Sequence, residues 1–175
     1  NGRMILHQPK YVEEKINEIQ PRSQLMQGDL LINIVGASIG RTARYDSDKV
    51  ANINQAVSLV RLKADVCNEY ILLTLNSPGL ISQMMENRVD VARANLSLAD
   101  VRQLVIPLPP PSEQTIISQR VTTLFNLAAQ LEARYLKAKS HIDKLTPSLL
   151  AKAFRGELVP QDPNDEPAEK LLERI

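Results

Sequence analysis

The sequence predicts a mixed α/β (α+β) fold, a small-sheet domain followed by a long coiled-coil α-helix, on three observations. The run Leu30-Leu31-Ile32-Asn33-Ile34-Val35 is almost wholly apolar and stands between glycine turns, the mark of a buried strand. Four prolines fall within Pro107-Leu108-Pro109-Pro110-Pro111, which forces extended backbone and ends the preceding domain. From there Ile117, Val121, Leu124, Ala128, Leu131, Tyr135, Ala138, Ile142, Leu145 and Leu149 recur at alternating spacings of four and three. That is a heptad seam without a break, and it predicts a coiled coil rather than an ordinary surface helix.

The elements follow in order. Gly28-Asp29 and Gly36-Ala37-Ser38-Ile39-Gly40 bound the first strand, the latter as a strand-to-strand turn for which glycine supplies the backbone angles. Residues 41–45 predict the returning strand, and Ala56-Val57-Ser58-Leu59-Val60-Arg61 a third, with Arg61 at its exit. Residues 68–75 and 78–87 predict short helices, the second with proline at its first position. Ser97-Leu98-Ala99-Asp100 fits a capping box at the start of another helix. Leu104-Val105-Ile106 predicts a last short strand, stopped by Pro107. Ser112 and Glu113 suit the start of the long helix as cap and first-turn acid. Phe125 and Leu127 flank the seam, so part of this helix is expected to pack against the globular domain. Thr146-Pro147 predicts an interruption, as a kink or a new helix start, and Gly156 a C-terminal stop. Beyond it, 159–167 is a proline- and acid-rich turn region, with a short helix expected over 168–174.

Composition limits the chemistry. The chain has 175 residues, 43% hydrophobic and 23% charged, which is globular and close to one average domain. Aromatics are only 3%, which disfavours a base-stacking platform for single strands. Lys+Arg total 21 against 20 Asp+Glu, so any basic surface must arise from local segregation. Such segregation is present: residues 112–155 sum to +4, seven basic less three acidic, and 156–175 to −4, two basic less six acidic. One cysteine, Cys67, and two remote histidines, His7 and His141, give no intrachain disulfide, no metal-ligand set and no nucleophile–base pair. Gly36-x-x-x-Gly40 lacks the Gly-Lys-Ser/Thr of a phosphate loop. Asn76-Ser77-Pro78-Gly79 lacks the aromatic of the Asn-Pro-Pro-Tyr/Phe motif of amino-methyltransferases. No catalytic constellation is predicted. No signal peptide or membrane-length apolar run is evident, so an intracellular protein in the cytoplasm with no membrane partner is expected. The start without Met suggests a fragment or a processed chain.

Several motifs in combination carry a resemblance. Gln27-Gly28-Asp29-Leu30-Leu31-Ile32 with the 36–40 turn, then Asn54-Gln55-Ala56-Val57 and Tyr70-Ile71-Leu72, resemble the core of a target recognition domain. Ile106-Pro107-Leu108-Pro109-Pro110-Pro111-Ser112-Glu113-Gln114 and Leu149-Leu150-Ala151-Lys152-Ala153-Phe154-Arg155-Gly156-Glu157-Leu158 match the start and end of the helix that follows it. Together they resemble the DNA-specificity (S, or HsdS) subunit of type I restriction-modification systems. The resemblance implies a target recognition domain over 1–110, without its initial strands, a helical spacer over 111–158 and an acidic tail over 159–175. It also implies a non-catalytic subunit that assembles with methyltransferase and restriction subunits on double-stranded DNA. S-adenosylmethionine, ATP and Mg would reside on those partners, and this chain would bind no cofactor. Two such helices pack antiparallel in the family pattern, so a sister helix or a second copy is the implied partner of the seam. Seam residues 117–149 would span ~48 Å at ~1.5 Å per residue, more than the ~34 Å between sites one DNA turn apart. The rival reading is a coiled-coil scaffold that does not bind DNA specifically.

Within that reading, base edges in the major groove are met by Arg on guanine and by Asn or Gln on adenine, preferably from loops on a rigid sheet. The candidates are Ser38, Arg41 and Arg44; Asn52, Asn54 and Gln55; and Arg88, Arg93 and Asn95. Each has a plainer alternative: Arg44 can pair with Asp46, Arg88 with Asp90, and Asn54-Gln55 can satisfy backbone at a strand start. For docking a methyltransferase subunit, the candidates are Arg134, Lys137, Lys144, Lys152 and Arg155, against an ordinary solvated helix face.

Overall fold

The computed structural model describes residues 2, 4, 9–86, 95–160 and 162–174. It divides into two compact units, residues 1–122 and 123–175. The first unit is an α+β domain. Helix α1 (Lys15–Ile19) and a 3-10 turn (Pro21–Ser23) precede a three-stranded antiparallel sheet of β1 (Leu30–Asn33), β2 (Thr42–Arg44) and β3 (Val57–Val60), in the order β2-β1-β3. The central strand is covered on both faces, with Leu30 and Ile32 at 0% exposure and Leu31 at 8%. Its sequence is therefore a continuous apolar run and not an alternating one. Helices α2 (Asn68–Leu75), α3 (Pro78–Glu86) and α4 (Leu98–Arg102) follow. Tyr70, Ile71, Leu72, Leu75 and Met84 from α2 and α3 close over Leu30, Ile32 and Ile34 to make the core. The capping box at α4 forms as the sequence predicts: Asp100 N–H donates to Ser97 Oγ at 3.1 Å, and Ser97 N–H to Asp100 Oδ2 at 2.7 Å.

Leu104-Val105-Ile106 is not a strand. Leu104 and Ile106 rest half-buried against the core and Val105 is exposed, which reproduces the strand alternation. The Val105 N–H, however, goes to the Gln83 side chain at 2.9 Å and joins no ladder. This segment borders a cavity of about 240 Å³ lined by apolar residues, among them Ile32, Ile71, Val101 and Leu108. Their side chains offer no polar group to orient a ligand.

Helix α5 (Pro111–Phe154) is 44 residues long and passes through Pro147, so Thr146-Pro147 does not begin a new helix. Proline deprives the Asp143 carbonyl of its intrahelical donor. The surrounding helix is exposed, so water can serve that carbonyl in place of the missing N–H. Gly156 ends the helix at φ 73°. Its N–H bonds the Ala153 carbonyl at 3.0 Å and the Glu157 N–H the Lys152 carbonyl at 2.9 Å, the paired bonds of a Schellman cap. A short helix α6 (Ala168–Leu172) lies in the tail. Among the described residues, no helix is long and apolar enough to cross a membrane.

Candidate nucleic-acid interface

The register of the sheet gathers separate stretches of sequence at one of its ends. β1 finishes where β2 and β3 begin, with Ile32 opposite Thr42 and Asn33 opposite Val57. Beyond the strands, Asn33 exchanges hydrogen bonds with Gly40 and Arg41 at 2.9 and 3.0 Å. The Ile34 N–H donates to the Ala56 carbonyl and the Leu96 N–H to the Ile34 carbonyl, each at 2.9 Å, while Val35 bridges Asn95. The 36–40 loop, Arg41, Asn54-Gln55 and Asn95 therefore share one edge. Glycine is required at both ends of the loop. Gly36 and Gly40 have φ of 80° and 83°, a region L side chains avoid, and a Cβ on Gly40 would approach Met84 Sδ to 3.3 Å.

Not every candidate on this edge is free. Ser38 is half-buried and accepts a hydrogen bond from Asn33 Nδ2. Asn54 Oδ1 accepts from the Ala56 N–H at 3.1 Å, so the plainer alternative holds for it. Arg41, Gln55 and Asn95 are exposed and have no side-chain hydrogen bond to another described residue. Arg88 and Arg93 lie outside the described residues.

The opposite end of the sheet is tied down. Arg44, in register with Leu30, binds Asp46 at 2.5 Å and Glu69 at 2.9 Å. Its expected alternative, the pair with Asp46, is what forms, and Glu69 from α2 is a second partner the sequence did not suggest. Asp29, 2% exposed, accepts from Arg61 Nε at 2.8 Å, Arg61 Nη2 at 2.6 Å and the Met26 N–H at 2.7 Å. Burial pushes its carboxyl up, but the Arg61 guanidinium and the Met26 N–H outweigh that and hold it below the usual carboxylate range.

A second fixed element lies beside the sheet. The Leu25 N–H bonds the Ala51 carbonyl and the Ile53 N–H the Ser23 carbonyl, each at 2.9 Å, with Gln24 bridging Asn52. Asn52 Nδ2 donates to Ser23 Oγ at 2.8 Å, so this candidate fastens the ribbon.

The start of α5 is locked to the domain by hydrogen bonds. Gln114, 2% exposed, accepts from the Cys67 N–H at 2.9 Å and donates to the Pro109 carbonyl at 2.7 Å. Tyr70 Oη donates to the Pro107 carbonyl at 2.8 Å, and buried Ser118 lies 3.8 Å from half-buried Cys67. Ile117 packs on the core. The proline stretch is thus held through its carbonyls, which remain acceptors although proline has lost its N–H.

The second unit presents the seam uncovered. Leu124, Leu131, Tyr135, Ile142, Leu145 and Leu149 are 47–68% exposed, and Ala128 and Ala138 are exposed as well. Phe125 and Leu127 are 64% and 51% exposed; in the first turns of the helix Gln114 and Ser118 are buried and Ile117 and Val121 half-buried. At 100° per residue, Arg134, Lys137, Lys144, Lys152 and Arg155 fall within a sector about 80° wide beside the seam. All five are exposed, and Arg155 binds Glu157 through two hydrogen bonds of 2.9 Å.

The first unit is thus a small sheet domain with exposed Arg41, Gln55 and Asn95 at one edge, continued into the long helix α5. The family described as type I restriction modification DNA specificity domain matches residues 5–139, and the chain belongs to this family. Relatives include the type I restriction enzyme EcoBI specificity subunit of Escherichia coli, 33% identical over all of this chain and 39% of the relative. The EcoKI specificity subunit of Escherichia coli strain K12 is 33% identical over 88% of this chain and 36% of its own length. The StySPI specificity subunit of Salmonella potsdam is 31% identical over 62% and 28%. The chain thus spans about two fifths of the length of the first two relatives.

Proposed function

We propose that this chain reads one half of a bipartite double-stranded DNA target for a type I restriction-modification complex. In this reading the domain of residues 1–122 contacts the bases, and α5 serves as spacer and assembly scaffold. The observation that carries it is the gathering of Arg41, Gln55 and Asn95, exposed and uncommitted, at one sheet edge in a DNA specificity domain. Arg41 suits guanine, and Gln55 and Asn95 suit adenine.

The chain itself is non-catalytic. It positions methyltransferase subunits, which bring S-adenosylmethionine, and through them restriction subunits that use ATP and Mg, all in the cytoplasm. The seam pairs antiparallel with a sister helix or a second copy. The basic sector of Arg134, Lys137, Lys144, Lys152 and Arg155 docks a methyltransferase subunit. Support for a helical partner is the exposed seam, which a lone helix leaves in water at roughly 25 cal/mol per Å² of apolar surface.

The test is selection from randomised duplexes at fixed salt, with methyltransferase subunits present. A recurring half-site is expected. Arg41→Ala should lower affinity by ~1–3 kcal/mol and relax preference at one position. If no sequence is enriched while the chain still associates through its helix, the scaffold reading replaces this one. Charge reversal at Lys137, Lys144 and Lys152 should weaken co-purification with methyltransferase subunits; undiminished co-purification removes this docking surface.

A further inference from the structure

Arg41 combines an unbonded side chain with a fully bonded main chain. Its guanidinium is exposed and makes no hydrogen bond or ion pair with another described residue. The peptide units on either side of it are held at every polar group. In the unit before it, the Arg41 N–H donates to the Ser38 carbonyl at 3.2 Å, and the Gly40 carbonyl accepts from Thr42 Oγ1 at 3.3 Å. In the unit after it, the Arg41 carbonyl accepts from the Asn33 N–H at 3.0 Å, and the Thr42 N–H donates to Asn76 Oδ1 at 3.2 Å. All but the last of these bonds stay within residues 33–42. The last one reaches across to α2.

Thr42 lies on β2, an edge strand. Backbone groups alternate in direction along an antiparallel strand. The Arg41 carbonyl faces β1, so the N–H and carbonyl of Thr42 face outward. Thr42 is 3% exposed, which leaves water little access to them. Asn76, the C-cap of α2, serves both groups. Its Nδ2 donates to the Thr42 carbonyl at 3.0 Å while Oδ1 takes the Thr42 N–H, and Nδ2 also donates to the Leu72 carbonyl at 2.9 Å. The carboxamide supplies what a neighbouring strand would supply, and ties it to the last turn of α2. The asparagine of Asn76-Ser77-Pro78-Gly79, which fails as a methyltransferase motif, thus has another use. A paired contact to guanine O6 and N7 depends on aim. Binding constellations tolerate errors of only ~10–20°, and the peptides flanking a residue set the direction of its Cα–Cβ bond.

We propose that Asn76 is a positioning residue for base reading: by holding the Thr42 N–H it fixes the peptide from which Arg41 projects, without touching DNA itself. The proposal rests on the reading that Arg41 meets a guanine in duplex DNA.

The experiment uses the full chain with methyltransferase subunits and the duplex that the parent selects. The quantity read is a ratio of affinities, for that duplex and for one altered only at the base pair whose preference Arg41→Ala flattens. An unfolded share of a variant lowers both affinities equally and cancels. Asn76→Ala should reduce the ratio by about 2- to 30-fold and leave preference at other positions intact. In the Arg41→Ala background it should reduce the ratio no further. Asn76→Asp keeps an oxygen for the Thr42 N–H and loses both donated bonds. It should unfold at lower urea than the parent and yet keep the parent's ratio. A ratio retained by Asn76→Ala, or lost equally in Asn76→Asp, overturns the proposal and leaves the DNA reading standing. Preference lost at every position, or an Asn76→Ala chain that does not fold, makes the clasp a support of the whole domain and also overturns it. If Arg41→Ala changes no preference, Arg41 is not a reader and this inference falls with it. A parent that selects no sequence overturns the DNA reading itself.

Discussion

The first unit and the second carry leucine and isoleucine in comparable style and treat them in opposite ways. In residues 1–122, Leu30, Ile32, Leu75 and Met84 are at most 1% exposed. In residues 123–175, every described leucine and isoleucine whose exposure is given stands at 47% or more. The first unit completes its own core; the second carries an exposed apolar face along α5. The partner helix proposed above would cover that regular seam.

The largest effect should come from the uncovered side. Leu124→Lys together with Leu131→Lys should abolish association, read as a fall to the mass of one chain in sedimentation, while the unfolding of the first unit is unchanged. A parent-like mass would break the comparison. Next in size is the anchor of the helix start. Gln114→Ala leaves the Cys67 N–H and the Pro109 carbonyl without partners at a buried site, so the first unit should lose about 2–3 kcal/mol in urea unfolding. A loss near zero would mean that water replaces the amide.

Acid should separate the two units more gently. The folded Asp29 carboxyl lies below its unfolded value of about 3.9, so its contribution is complete above that value and disappears as pH falls through the folded one. The urea midpoint of the first unit should therefore fall below about pH 4. Asp29→Asn should be less stable at neutral pH and lose part of this acid dependence; an identical acid limb would place its origin elsewhere. The smallest effect belongs to the free edge. Arg41→Ala and Gln55→Ala should shift stability by no more than about 0.5 kcal/mol, and a larger loss would show hidden structural work at that edge.

Much of this architecture was legible in the sequence, where local pattern and burial coincide. Leu30-Leu31-Ile32 reads as buried because β1 is central, and the Ser97/Asp100 box and Gly156 stop declare themselves through their own side chains or backbone. The errors share a cause. Leu104 and Ile106 alternate with exposed Val105 as a strand residue would, yet a strand needs a neighbour that local sequence cannot display. Thr146-Pro147 offers a cap and first residue for a new helix, but an exposed helix tolerates the carbonyl that proline orphans and runs on. At the candidate interface, residue types were visible and commitments were not. Arg44 and Asn54 look as available as Arg41 and Gln55 until Asp46, Glu69 and the Ala56 N–H are seen to occupy them.

The division of labour along the strands also bears on how such a domain diversifies. Asp29–Arg61 and Arg44–Glu69 fasten one end, and substitutions there disturb charges that are buried or mutually satisfied. Arg41, Gln55 and Asn95 stand at the other end with nothing else depending on their side chains among the described residues. If that end reads bases as proposed, random changes there fall on a background of nearly constant stability, so variants with new preferences remain folded long enough to be sampled. Ends a few residues apart on strands of three or four residues thus have very different tolerance to mutation. A lineage can drift in what it reads while its scaffold stays fixed.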